Sequence, residues 1–85
     1  MEPPELFSIV AELLADVTPY PAAEFAPTTR LSEDLGLSSL ELIELATAIE
    51  DRLGITVDDS AFSTVKTIGD VVEATRTLVA QGTPA

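Results

Sequence analysis

The clearest helix start in this chain is the run Asp34-Leu35-Gly36-Leu37-Ser38-Ser39-Leu40-Glu41. Gly36 can adopt backbone angles that other residues avoid, so it marks the end of the preceding structure. Ser38 is placed to cap a helix, and Glu41, three residues later, completes a capping box. Ser39 is then the first helical residue, and its hydroxyl lies beside unpaired backbone N–H groups that stabilise a bound or attached phosphate. A serine pair that opens a helix is more often only a cap, so local chemistry leaves both interpretations open.

The pattern after this start predicts a helix over residues 39–53 that ends at Gly54. One arc of this helix is apolar and consists of Leu42, Leu45, Ala46, Ile49 and Leu53. The opposite arc is mainly acidic and consists of Glu41, Glu44, Ala48 and Asp51, with Leu40 and Thr47 at its edge. This arc is either a solvated face or a docking strip in which Leu40 is an apolar contact amid steering charges.

Helical periodicity and capping signals predict three more helices, at about residues 4–17, 59–63 and 67–81. The helix at about 59–63 is very short, since Asp58, Asp59 and Ser60 can cap a single turn around Ala61 to Ser63. Between the first two helices lies an irregular, proline-punctuated segment, residues 18–37, with Phe25, Leu31 and Leu35 as its expected anchors in the core. We therefore expect an all-α fold, a small four-helix bundle with three main helices, a short third helix and a long first loop.

The composition excludes several classes of function. A chain of 85 residues has room for a single domain, here 1–85, and its formal charge of −11 favours partners with basic surfaces. It has no cysteine and no histidine, so a protein thiol, a disulfide and the commonest general base and metal ligand are excluded. With only four basic residues it is not expected to bind nucleic acid. The lack of a signal-peptide pattern or membrane-length apolar run favours a cytoplasmic protein that does not enter a membrane.

The run at residues 34–41, followed by Leu42-Ile43-Glu44-Leu45, resembles the attachment motif of acyl carrier proteins. The long first loop, the acidic second helix, the short third helix and the Thr67-Ile68-Gly69-Asp70 start of the last helix are also similar to that family. The resemblance extends from about Leu6 to Leu78 in consistent order and spacing.

The resemblance implies that Ser39 carries a covalent 4′-phosphopantetheine, transferred from coenzyme A by a phosphopantetheinyl transferase that uses a divalent metal. It implies a monomeric carrier with no catalytic residue and no metal site of its own, working with an acyltransferase, a ketosynthase or acyl-activating enzymes. The residues implied in partner binding are Leu40, Glu41, Glu44, Thr47 and Asp51. Those implied in lining a pocket for the acyl chain are Leu42, Leu45, Ala46 and Ile49.

One position departs from the family pattern, because carrier proteins usually have an acid where this chain has Ser38. As a cap the serine is equivalent, but it lacks the charge that a basic partner or the metal of the transferase would contact. The acidic second helix and the Leu-Glu after Ser39 favour an acyl carrier of polyketide or fatty acid biosynthesis, and the absence of flanking domains favours a discrete one. The departure at Ser38 favours specialised metabolism over housekeeping fatty acid synthesis. The alternatives are a peptidyl or aminoacyl carrier and an unmodified acidic adaptor that docks a basic partner.

Overall fold

The described part of the chain, residues 3–57, 62 and 64–80 of a computed structural model, contains three α-helices and no strand. They are α1 (Pro3–Val17), α2 (Ser39–Leu53) and α3 (Ile68–Ala80), and a short 3₁₀ turn, Ala22–Glu24, lies in the loop after α1. The all-helical class expected from the sequence is thus confirmed. The short helix expected at 59–63 falls mainly outside the described residues. None of the helices in the described ranges is long and apolar enough to cross a membrane.

Helix α1 is the centre of the packing, because it contacts both α2 and α3. Each helix contributes an apolar stripe to one core, as the helical periodicity of the sequence requires. Fully buried members of that core are Leu6, Leu14, Leu31, Leu45, Ile49, Ile68 and Val71. The single buried polar side chain of the described region, Thr75, donates a hydrogen bond from its hydroxyl to the Val71 carbonyl at 2.8 Å, so it adds no unpaired polar group to the core.

The segment that joins α1 to the N-cap of α2, residues 18–37, is called loop 1 below. Its predicted anchors do pack against the core, since Phe25 and Leu31 are buried and Leu35 is half-buried. Loop 1 is also bound to the start of α3 through main-chain atoms. The carbonyls of Pro27 and Thr29 accept from the N–H groups of Gly69 and Ile68 at 2.8 and 3.0 Å. These carbonyls satisfy N–H groups that the first turn of a helix leaves unpaired.

Gly69 is required at this junction because the loop backbone passes very close to it. A Cβ atom at position 69 would lie 3.0 Å from the Pro27 carbonyl oxygen. One residue before α3, Thr67 caps the helix: its hydroxyl accepts from the Asp70 N–H at 3.1 Å, and the Asp70 carboxylate accepts from the Thr67 N–H at 3.1 Å. The start of α3 therefore has two sources of hydrogen bonds, a capping box and loop 1.

Candidate functional site

The end of loop 1 is a compact turn that fixes the approach to α2. The Asp34 carboxylate accepts from the Arg30 N–H at 2.8 Å, and the Leu37 N–H donates to the Leu31 carbonyl at 3.0 Å. Gly36 has φ +68°, the left-handed conformation that its place in the sequence predicted. Leu37, which is buried, follows at once and holds the chain against the core directly before the two serines.

The two adjacent serines have different roles in the structure. The Ser38 hydroxyl accepts from the Glu41 N–H at 3.3 Å, and the Glu41 carboxylate accepts from the Ser38 N–H at 3.0 Å, so the predicted capping box is confirmed. Ser39 is exposed, and within the described ranges its hydroxyl makes no hydrogen bond. One serine is engaged in capping, and the other presents its oxygen at the N-terminal end of a 15-residue helix.

This arrangement fits a phosphodiester attached at Ser39. A negative phosphate is stabilised by the positive end of the α2 dipole and by the N–H groups of its first turn. Attachment would leave the cap in place, because the Ser38 hydroxyl and the Glu41 carboxylate make those hydrogen bonds without Ser39. Among the described residues no group of His, Cys, Asp and Glu is arranged to hold a metal ion.

The exposed face of α2 begins beside Ser39 and has an apolar centre. Leu40 is 65% exposed, and Ile43, one turn further on, is 58% exposed. Glu44, Thr47 and Asp51 are also exposed on this face. Two apolar side chains in water with acids beside them form the kind of surface that a protein partner covers.

The exposed face of α2 is centred differently from the acidic arc that the sequence predicted, and it includes Ile43, which the prediction left out. Leu40 and Thr47, expected at the edge of that arc, are exposed in the structure, whereas Glu41 and Ala48 are half-buried. Glu41 is also held by its hydrogen bond to the Ser38 N–H. The signal was available, because successive helical residues turn by about 100° and Ile43 therefore lies only about 60° from Leu40.

The four residues expected to line an acyl pocket occupy two environments. Leu45 and Ile49 are fully buried in the core, whereas Leu42 and Ala46 are half-buried. An open pocket of about 580 Å³ lies between loop 1, α2 and the start of α3, and of the four residues Leu42 lines it. Leu31 and Val65 complete its apolar part. Leu42, one turn after Ser39, is thus the residue through which α2 lines the pocket.

Charged groups at this pocket have altered pKa values for local reasons. The N–H groups of Lys66 and Thr67 donate to the Asp70 carboxylate and hold its pKa below the ordinary value. Arg30 forms an ion pair with Glu33, and this hydrogen bond and charge raise the pKa of the guanidinium. The carboxylates of Asp70 and Glu33 are therefore both engaged.

Comparison with known proteins agrees with this geometry. A family model described as a phosphopantetheine attachment site matches residues 8–75. An acyl carrier protein of Saccharopolyspora erythraea is 38% identical over 81 residues, which cover 95% of this chain and 85% of that protein. A meromycolate extension acyl carrier protein of Mycobacterium leprae is 32% identical over 80% of this chain and 59% of that protein. The crystal structure of an acyl carrier protein from Thermotoga maritima superposes with a TM-score of 0.81 at 18% identity, covering 95% of this chain and 94% of that one.

The fold and the family match define a phosphopantetheine-binding carrier. The chain belongs to the acyl carrier protein family. Members of this family are carriers with a covalently attached 4′-phosphopantetheine, and they interact with phosphopantetheinyl transferases and with biosynthetic enzymes.

Proposed function

We propose that this chain holds acyl intermediates as thioesters on a 4′-phosphopantetheine arm at Ser39 and carries them between enzymes of polyketide or fatty acid biosynthesis. The observation that carries the proposal is the exposed, unengaged Ser39 hydroxyl at the start of α2, next to a Ser38 hydroxyl that makes the cap. The arm supplies the thiol that a chain without cysteine lacks. Loop 1 and the capping box hold Ser39 in place, and the α2 dipole stabilises the phosphate.

In the loading step a phosphopantetheinyl transferase acts on the Ser39 hydroxyl. Ser39 Oγ forms a new bond to the phosphorus of coenzyme A that bears the pantetheine, the bond to the second phosphate breaks, and adenosine bisphosphate leaves. The hydroxyl proton passes to a base that the transferase must supply, because this chain has no histidine and its nearest acid, Glu41, is committed to the cap.

The exposed face of α2 is the proposed docking surface for partner enzymes. Leu40 and Ile43 provide the apolar centre, with Glu44, Thr47 and Asp51 around it. Acids at the rim of an interface steer a basic partner, and a buried apolar centre supplies most of the affinity. This surface suits the transferase and an acyltransferase, ketosynthase or acyl-activating enzyme with a basic docking site.

The cargo class is proposed to be acyl, which the names of the acyl carrier relatives support. A peptidyl or aminoacyl carrier is the alternative within the carrier class, and loading exclusively by an amino-acid adenylating enzyme would favour it. We also infer a single monomeric carrier domain. The unmodified adaptor is the alternative outside the class, and it gives the Ser39 hydroxyl no role.

The test is intact mass spectrometry before and after incubation with coenzyme A and a broad-specificity phosphopantetheinyl transferase, followed by peptide mapping. We expect one phosphopantetheine on the peptide that contains Ser39, none on Ser39→Ala, and one on Ser38→Ala. The matched pair of variants identifies the serine, because the two peptides differ only in which adjacent hydroxyl remains. A folded wild-type protein that gains no mass would refute the proposal and favour the adaptor.

A further inference from the structure

The pocket beside α2 has polar and apolar sides of different origin. Its apolar side is formed by Leu31, Leu42 and Val65. Its polar side is formed by loop 1 and the residues before α3, which bring Arg30 and Lys66 together. These are two of only four basic residues in a chain with a formal charge of −11. A pocket meant only for saturated hydrocarbon gains nothing from them, because charged groups beside an alkyl chain lose hydration without a compensating contact.

The acids of the pocket are already engaged by the protein itself. Glu33 is paired with Arg30. The Asp70 carboxylate accepts from the N–H groups of Lys66 and Thr67 at 3.0 and 3.1 Å. These hydrogen bonds cap α3, so Asp70 cannot turn toward a ligand without leaving N–H groups unpaired.

One donor remains on the polar side, the ammonium group of Lys66. Lys66 is the one basic side chain that forms no ion pair within the described ranges, since Arg30, Arg52 and Arg76 each do. The Thr67 hydroxyl is already engaged at the cap of α3, because its oxygen accepts from the Asp70 N–H and its side chain also hydrogen-bonds with the Asp70 carboxylate. The Lys66 backbone is held on both sides, by its N–H to Asp70 and by its carbonyl, which accepts from the Leu31 N–H at 2.8 Å. The backbone position of this donor is therefore fixed.

We propose that this pocket receives acyl groups that carry carbonyl or carboxylate oxygens, in preference to saturated acyl chains of the same length. The inference rests on the proposed function, because the acyl group reaches the pocket from Ser39, whose helix lines it through Leu42 one turn away. Leu31, Leu42 and Val65 contact the carbon chain, while the Lys66 ammonium donates to its oxygens. Lys66 is the residue that determines the preference, since a charge-assisted hydrogen bond is stronger than a neutral one.

The test compares two acyl groups of equal length on the full chain. Wild-type protein is loaded with hexanoyl or β-ketohexanoyl pantetheine from the corresponding coenzyme A thioesters, and loading is verified by intact mass. The rate of thioester cleavage by hydroxylamine is then measured for the loaded protein and for the free pantetheine thioester. The rate for the free thioester divided by the rate for the loaded protein is the protection factor. We expect the β-keto group to be protected about tenfold more than the saturated group, the lower end of the factor that one charge-assisted hydrogen bond supplies.

Three variants assign the effect to Lys66. Lys66→Gln should remove most of the difference between the two acyl groups, and Lys66→Arg should retain it. Arg76→Gln makes the same change of net charge on α3 outside the pocket and should leave the difference unchanged. Chemical shifts of the Leu31 and Val65 amides, measured on loading, report whether the acyl group enters the pocket.

The possible outcomes distinguish failure of this inference from failure of the proposed function. Absence of any adduct at Ser39 would overturn both. Normal loading with equal protection of the two acyl groups would overturn the inference and leave the carrier function intact. The same would follow if Lys66→Gln and Arg76→Gln behaved alike, because the effect would then come from net charge rather than from the pocket.

Discussion

Replacing Ser38 by alanine tests the different roles of the two serines through the stability of the protein rather than through its modification. The variant loses one hydrogen bond, from the Glu41 N–H to the Ser38 hydroxyl, and keeps the second, from the Ser38 N–H to the Glu41 carboxylate. Loss of an N-cap serine costs roughly 0.5–2 kcal/mol. The 3.3 Å distance of the lost bond is long for an N–H···O contact, so we expect the lower half of that range, about 0.5–1 kcal/mol.

For a domain of this size, a change of that magnitude lowers Tm by roughly 2–8 °C. Thermal and urea unfolding followed by far-UV circular dichroism measure it. Ser39→Ala is the matched control, and it should change the free energy of unfolding by less than about 0.5 kcal/mol, because Ser39 is exposed and alanine is a good helix former. Ser38→Asp should keep the stability of the wild type, since aspartate caps a helix as well as serine does. Equal losses in Ser38→Ala and Ser39→Ala would refute the division of roles between the two hydroxyls.

The docking face and the start of α3 supply the remaining predictions. Leu40→Ala and Ile43→Ala should each lower kcat/KM for loading by the transferase by about tenfold. The Tm should be nearly unchanged because both side chains are exposed in the free protein, and Tyr20→Ala is the control for an exposed apolar residue elsewhere. An unchanged kcat/KM would argue against the docking face. The lowered pKa of Asp70 contributes stability that is present above its unfolded pKa near 4 and is lost as the pH falls through the folded value. The difference in unfolding free energy between wild type and Asp70→Asn should therefore shrink in acid, and urea midpoints that differ equally at pH 7 and pH 2 would contradict the assignment.

Local features of this fold could be predicted from the sequence. The α2 cap was predictable because a Ser and a Glu three residues apart satisfy each other without help from the rest of the chain. The left-handed conformations of Gly36 and Gly54 were predictable for the same reason, since only a few residue types adopt them at little cost. The all-helical class followed from apolar residues that recur at helical spacing.

Long-range features could not be predicted in the same way. The hydrogen bonds from loop 1 to α3 join main-chain atoms some forty residues apart. Nearly every residue has the same main-chain groups, so the sequence does not indicate which of them pair. The pocket is formed where loop 1 meets α2 and α3, so the apolar arc of α2 gave no indication that Lys66 lines it. Ile43 was missed because it lies between the apolar arc and the acidic arc of α2, so the sequence pattern assigned it to neither.

The main-chain anchoring of loop 1 has a consequence for how such a protein can diversify. Pro27, Thr29 and Leu31 hold the loop through carbonyl and N–H groups that every substitution except proline leaves in place. The exposed side chain at position 28 is thus largely free of structural constraint, whereas Arg30 is held by its ion pair with Glu33. Random mutation or deliberate redesign can change the charge and the shape of this part of the surface without moving the serine at the start of α2. Loop 1 is accordingly the place to graft a new partner preference.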